Sequence, residues 1–169
     1  MRKILLLSDT HGYIDDAICK HAEQADEIWH AGDIGDVQVY DRLAKIKPVR
    51  AVYGNIDGQE VRKVCPMNLK FLCEKKKVWI THIGGYPPNY TSSLKAQLTI
   101  DKPGIFICGH SHILKVIYDK NLGILHLNPG AAGREGFHKV RTMMRFVIDG
   151  DDIKNMDIIE LGPRSALIN

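Results

Sequence analysis

What this chain has little of narrows its class before any motif is considered. Long apolar runs are missing: residues 4–7 are a typical stretch, and nothing approaches the ~20 apolar residues of a membrane span. Met1-Arg2-Lys3 ahead of that run has the look of a leader, yet the run is too short, and Asp9, His11, Asp15 and Asp16 follow at once. The expected location is therefore the cytoplasm, without membrane contact. Cysteine is sparse. Cys19, Cys65, Cys73 and Cys108 form no C-x-x-C pair; they fit neither a zinc knuckle nor a disulfide frame and read as reduced, buried, small apolar side chains. Charge of one sign is lacking as well: 23 lysines and arginines stand against 20 acidic residues, a net charge of +3. So small an excess points neither to an anionic membrane surface nor to nucleic acid, and no basic face laced with aromatics supports a nuclease. Internal repeats, low-complexity tracts and linkers are also missing, and the lysines at 75–77 read as a solvated turn.

What is present is an ordinary globular composition. The apolar fraction is 44% and the charged fraction 25%, and 169 residues suffice for one domain, expected to span 1–169, with a sizeable core. The first third alternates strand and helix: strands at 3–7, 27–31 and 49–53, helices at 14–25 and 37–46. Asp15 and Asp16 suit the N-terminus of the first helix, and Lys45, Lys47 and Pro48 close the second. This βαβαβ pattern predicts parallel strands joined by right-handed crossovers. Beyond it the pattern changes. Strands at 69–73 and 78–81 flank a charged hairpin turn, and a helix follows at 91–98. A short apolar strand falls at 105–108, and further strands at 116–118, 124–127, 143–148 and 153–161 read as largely antiparallel. That many strands exceed one open sheet with few helices. The expected fold is α/β: two mixed β-sheets packed as a sandwich, with helices on the outer faces in four α-β-β-α layers. Residues 162–169 are expected to be peripheral.

Five of these strands stop at residues able to hold a metal. Asp9 and His11 follow the first, in Ser8-Asp9-Thr10-His11-Gly12, and Asp33 the second, in Gly32-Asp33. Asn55 follows the third, in Gly54-Asn55-Ile56-Asp57; His82 follows the strand at 78–81, and His110 and His112 that at 105–108. Glycine lies close to each group, and it lets the backbone turn sharply so that a ligand faces inward. In open α/β sheets, ligands gather outside the carboxyl ends of the strands. Carboxylate, amide and imidazole together suit a divalent transition metal. Any one group alone is most simply a turn or core residue; five at equivalent positions point to one shared rim. Seven donors exceed what one ion takes from protein in a catalytic site, and they suit two ions sharing a carboxylate.

The series D-x-H, G-D, G-N-x-D, T-H, G-H-x-H resembles the calcineurin-like metallophosphoesterase superfamily, and the short, capless chain looks most like its small bacterial and archaeal phosphodiesterase branch. The motifs run from Asp9 to His112 in the family's order, and Asn128-Pro129-Gly130 matches a further element. The resemblance implies one ion held by Asp9, His11, Asp33 and His112, and a second held by Asp33, Asn55, His82 and His110, with Asp33 as the bridge. It implies a phosphodiesterase, with phosphomonoesters as a further substrate class, working by in-line attack of a metal-bridging hydroxide. The expected cofactor is two divalent ions, manganese foremost, with iron, nickel and zinc as the other candidates. The expected partner is a small phosphodiester or nucleotide. One branch of the superfamily, Vps29, resembles these enzymes in fold but serves as a protein-binding scaffold; that is the alternative reading, although no ligand position is lost here.

Three departures matter. Many members carry histidine between the Asn and the Asp, where it is thought to protonate the leaving group; here Ile56 stands there and can move no proton. The chain is therefore expected to favour good leaving groups. Ile83 follows His82 where the family usually has glycine, and Ala131 replaces the serine of N-P-G-S. Other residues keep two readings. Asp57 either orients a ligand imidazole or caps its own loop. Arg134 either forks onto a phosphate or lies on the surface. His30 is structural or touches substrate; Tyr86 and Tyr90 line a substrate wall or pack their loop. His21 reads as solvated and His126 as a satisfied core histidine, while His138 sits in a Gly-flanked loop without an assigned role.

Overall fold

The computed structural model describes residues 1–165. Its first sheet begins with β1 (Arg2–Leu7), which pairs in parallel with β2 (Glu27–His30), which pairs in parallel with β3 (Val49–Ala51). On the other side β1 pairs antiparallel with β9 (Val140–Asp149), and β9 with β10 (Asp152–Pro163), so the order is β10-β9-β1-β2-β3. The second sheet holds the antiparallel hairpin β4 (Asn68–Cys73) and β5 (Lys76–Thr81), then β6 (Ile105–Ile107), β8 (Ile124–Pro129) and the edge strand β7 (Leu114–Asp119). The strands β5, β6 and β8 run parallel to one another, and the edge strands β4 and β7 run antiparallel to them. The sandwich of two mixed five-stranded sheets expected from the sequence is thus present.

Strand alternation explains the layers. Ile4 and Leu6 of β1 face the second sheet, where they join Trp29, Val78, Ile80, Ile105, Ile107 and Phe146 in the core between the sheets. Leu5 and Leu7 point the other way, onto α1 (Asp16–Glu23), α2 (Val37–Ala44) and α3 (Gln59–Val64). A strand covered on both faces reads as an unbroken apolar run, as residues 4–7 do. Trp29 fills the middle of the sandwich, edge-on to Phe71 at 5.1 Å and Phe146 at 5.8 Å between centroids, while its indole N–H donates to Glu27 at 3.1 Å. On the far side, Leu94 and Leu98 of α4 (Ser92–Asp101) pack on Trp79 and Phe106.

The helices start where side chains can satisfy free N–H groups. Asp15 accepts from the Ile18 amide at 3.0 Å, Asp36 from Gln38 at 2.9 Å and Thr91 from Leu94 at 3.2 Å. The first helix is accordingly shorter than the expected 14–25, because Asp15 is its cap rather than a member. The sequence reading left α3 out: six residues behind Gly58 are too few to show a helical period. The expectation of a peripheral tail also needs correction. Gly162 and Pro163 pair with Arg141 and Val140, and the Arg164 amide donates to the Lys139 carbonyl, so β10 carries the sheet that far; positions 166–169 of that expectation lie outside the described residues. No helix among the described residues is long and apolar enough to cross a membrane.

His126 of β8 is fully buried among Tyr86, Tyr90 and Phe106. Its Nδ1 meets the Tyr90 hydroxyl at 3.3 Å, but its Nε2 has no partner, so it is only half satisfied. Burial lowers its pKa from 6.5 to about 4, and does the same to His30. The unfolded chain therefore binds more protons than the folded one between those values, and stability that is complete above pH 6.5 declines toward pH 4. His126→Phe is expected to flatten this acid dependence, with urea midpoints at pH 7.5 and pH 5 lying closer together than in the parent. Equal pH slopes in parent and variant would remove His126 from the cause.

Candidate metal centre

The carboxyl ends of β1, β2, β3, β5 and β6 meet along one rim. The loop after β1 continues the parallel pairing beyond the strand: the amides of Asp9, His11 and Gly12 donate to the carbonyls of Gly32, Asp33 and Ile34 at 3.0, 3.0 and 2.7 Å. Two ligand-bearing loops are thereby zipped together. The third is tied in by Asp57, whose carboxylate accepts from the amides of Ile34 (3.1 Å), Gly35 (2.7 Å) and Gly54 (2.7 Å). The hydrogen bonds of Asp57 reach one amide of its own loop and two of the loop after β2, and no imidazole. Gly54 is required by contact, since a Cβ there would lie 2.0 Å from Oδ1 of Asp33.

All seven expected donors converge. Asp9, His11 and His112 place one ligand atom each within 4.8 Å of one another, and so do Asp33, His82 and His110. Asn55 joins the second group, its Oδ1 being 3.0 Å from Nδ1 of His110. The two groups share Asp33: its Oδ2 is 3.2 Å from Nε2 of His82 and 3.6 Å from Nε2 of His11. Asp9 is completely buried. Its Oδ2 accepts from the Ser8 hydroxyl at 2.6 Å and from the His110 amide at 3.1 Å. Its Oδ1 faces Nε2 of His112 at 3.2 Å and lies 3.9 Å from both His11 and His82.

The donor set fits a cation. Asp9 Oδ1, His11 Nε2 and His82 Nε2 are buried polar atoms with no hydrogen-bond partner, and all three point into the same space. Such atoms are costly to leave unpaired. Burial alone would raise the Asp9 carboxyl, but His11, His112, His82 and Ser8 together hold it well below the usual carboxylate range. Asp33 is likewise lowered: burial opposes, and His82 prevails. His11 is raised chiefly by Asp9; His82 is raised by Asp33 and Asp9 against its own burial. The pocket thus concentrates ionised carboxylate beside imidazoles. Backbone strain accompanies it. Asp9, His11, Asp33, His110 and His112 all have left-handed φ, between +46° and +70°, which non-glycine residues adopt at a cost of about 1–3 kcal/mol each.

The sequence from residue 2 to residue 151 matches the calcineurin-like phosphoesterase superfamily domain. The chain belongs to that superfamily. Among curated proteins, none matches it. Its fold is similar to a predicted phosphoesterase of Streptococcus pneumoniae (23% identity, TM-score 0.69, covering 94% of this chain and 89% of that one). It is similar to an archaeal phosphodiesterase (21%, TM-score 0.70, 94% and 99%). It is also similar to Vps29 of Entamoeba histolytica solved in complex with zinc (17%, TM-score 0.73, 96% and 99%). The calcineurin-like superfamily is metal-dependent, in keeping with the two His/Asp groups described above.

The remaining candidates sort by contact. His30 is structural: its Nδ1 accepts from the Gly32 amide at 3.2 Å and its Nε2 meets the Thr10 hydroxyl at 3.0 Å, beneath the Asp9 loop. Tyr90 packs onto His126, and the Tyr86 hydroxyl bonds to Ser111, between two of the donor histidines. Arg134 is exposed, with its guanidinium 4.4 Å above the Tyr13 ring. Sequence reasoning passed over Glu135, whose carboxylate is 3.7 Å from Nδ1 of His11; nothing in the sequence marks it, because it reaches the site only by the path of its loop. Asn128, of the Asn-Pro-Gly element, donates its amide to the Gly109 carbonyl at 2.9 Å and holds the loop that carries His110 and His112. Asp57→Ala would strand three backbone donors, two of them buried; it is expected to destabilise the fold by about 2–4 kcal/mol in urea melts and to loosen the Asp33 and Asn55 loops.

Proposed function

We propose that this chain is a metal-dependent phosphodiesterase of the cytoplasm, acting on small phosphodiesters or nucleotides and secondarily on phosphomonoesters. The observation that supports this reading most directly is Oδ2 of Asp33, which lies within 3.6 Å of an imidazole from each donor group. Asp9, His11 and His112 would hold one divalent ion and Asn55, His82 and His110 another, with Asp33 between them. When bound, two such ions generate a nucleophile at neutral pH and polarise the phosphoryl oxygens. Manganese suits the mixture of carboxylate, amide and imidazole. Arg134, its guanidinium over the Tyr13 ring, would be the side chain to fork onto a phosphate oxygen. Ile56 offers no proton to the departing group. Aryl esters, which leave without one, are therefore the better substrates.

A scaffold role at the same rim has one observation in its favour. Ile56, Ile83 and Ile113 each follow a donor residue directly, and they are 47%, 57% and 52% exposed; such apolar exposure is common at interaction sites. Hydrolysis of bis(p-nitrophenyl) phosphate with added manganese separates the two readings. Turnover is expected to stop with chelator and to fall more than about 100-fold in Asp33→Ala, beyond the loss of an outer hydrogen-bond partner. Activity indifferent to both metal and mutation would reject the enzymatic reading. Ile56→His adds the missing acid. It is expected to raise alkyl diester turnover relative to aryl by up to about 10²–10⁴-fold, the range that general acids supply. An unchanged alkyl-to-aryl ratio would separate Ile56 from leaving-group choice.

A further inference from the structure

His138 lies outside the set of donors, yet it touches one of them. Its Nδ1 is 3.3 Å from Nδ1 of His112, and the two rings meet edge to face with centroids 5.1 Å apart. Its Nε2 is 2.9 Å from the carbonyl oxygen of Gly133. We propose that His138 is a positioning residue that fixes the tautomer and ring orientation of His112, so that His112 Nε2 keeps its lone pair for a metal ion. This rests on the metal-site reading given above.

The argument is one of hydrogen-bond accounting. A carbonyl oxygen can only accept, so the proton of a neutral His138 sits on Nε2 and its Nδ1 is an acceptor. Two facing ring nitrogens need one proton between them, and that proton must come from Nδ1 of His112. With Nδ1 committed to His138, Nε2 of His112 is the nitrogen left to face Asp9 Oδ1, at 3.2 Å, where a metal ion would take the place of any proton the two share. The circuit closes through the backbone. The Gly133 amide donates to the Asp9 carbonyl at 3.1 Å, so the residue that anchors His138 is itself held by the residue that faces His112.

The loop is shaped for this contact. Gly136 has φ +123°, and a Cβ there would lie 2.2 Å from Nδ1 of His112, so only glycine lets the loop close over the imidazole pair. Arg164 pins the loop from the other side, its Nε donating to the His138 carbonyl at 2.9 Å. Metal-binding histidines usually donate their second N–H to a carboxylate, carbonyl or water. Here a second histidine, itself fixed by a carbonyl, takes that place.

Two measurements test the assignment. In metal-free protein at pH 8, long-range ¹H–¹⁵N NMR of the His112 ring is expected to show Nδ1 protonated; an unprotonated Nδ1 would overturn the proposal. Calorimetric titration with manganese and with zinc is then compared among the parent, His138→Phe and His138→Asn. Phenylalanine keeps the bulk and loses both hydrogen bonds. It is expected to weaken one of two binding events by about 10–100-fold, leave the other, and give a mixed His112 tautomer. Asparagine, able to accept and donate together, is expected to recover most of the affinity. Two events of parental affinity in His138→Phe, with His112 unchanged, would also overturn the proposal. A parent that binds no metal would instead remove the metal-site reading, and the tautomer would still decide whether His138 positions His112. Should His138→Phe fail to fold, the parent spectrum and His138→Asn carry the test.

Discussion

Asp9 is the constraint around which this molecule is arranged. It is a carboxylate taken wholly out of water, which is costly unless the charge is answered nearby. One oxygen is answered by the Ser8 hydroxyl and the His110 amide. The other is surrounded by the ring nitrogens of His112, His11 and His82 and makes no hydrogen bond of its own. Hydrophobic burial of β1 between helices and the second sheet drives the residue inward. The imidazoles of its own loop and of two others keep it ionised there. Folding energy from the two cores is thus used to hold a concentrated set of metal donors that would disperse in an unfolded chain.

The loops hold this arrangement under strain. Of the eight non-glycine residues with positive φ among the described residues, five are donors at the rim. Isolated left-handed residues relax unless their surroundings over-determine them. Here the surroundings do so through backbone ties: Asp9 to Gly32, His11 to Asp33, Ala132 to Ser8 and Gly133 to Asp9. Asp57 adds three more from a single carboxylate. Position at the rim is therefore set by the main chain, while the side chains supply the chemistry. This division of labour suits a site in which donors must be placed to within a few tenths of an ångström.

The rim is polar at its centre and apolar at its margin. Ile56, Ile83 and Ile113 are exposed beside donors, and Phe137, next to His138, is fully exposed. Folds this similar occur in a protein described as a phosphodiesterase and in Vps29. In this chain all seven donors converge at the centre of that rim.

Much of this was legible from the chain alone. Runs of strand length, each followed closely by glycine and a donor, announced β1, β2, β3, β5 and β6, most plainly β1 and β6, because a strand buried on both faces has no polar alternation to hide it. The donor residues followed from the same stops. Less visible were α3, too short to display a period, and the end of β10, whose exposed edge residues look like a tail. Position relative to other loops was not legible at all. Whether Asp57 met an imidazole or three amides, whether His30 met substrate or Thr10, and that Glu135 and His138 lean on donor histidines all depend on how separate loops stack. Local sequence determines where a strand ends and which side chains it can offer. Only the packing of two sheets, which brings together residues a hundred positions apart such as Asp9 and His112, decided which of those offers meet.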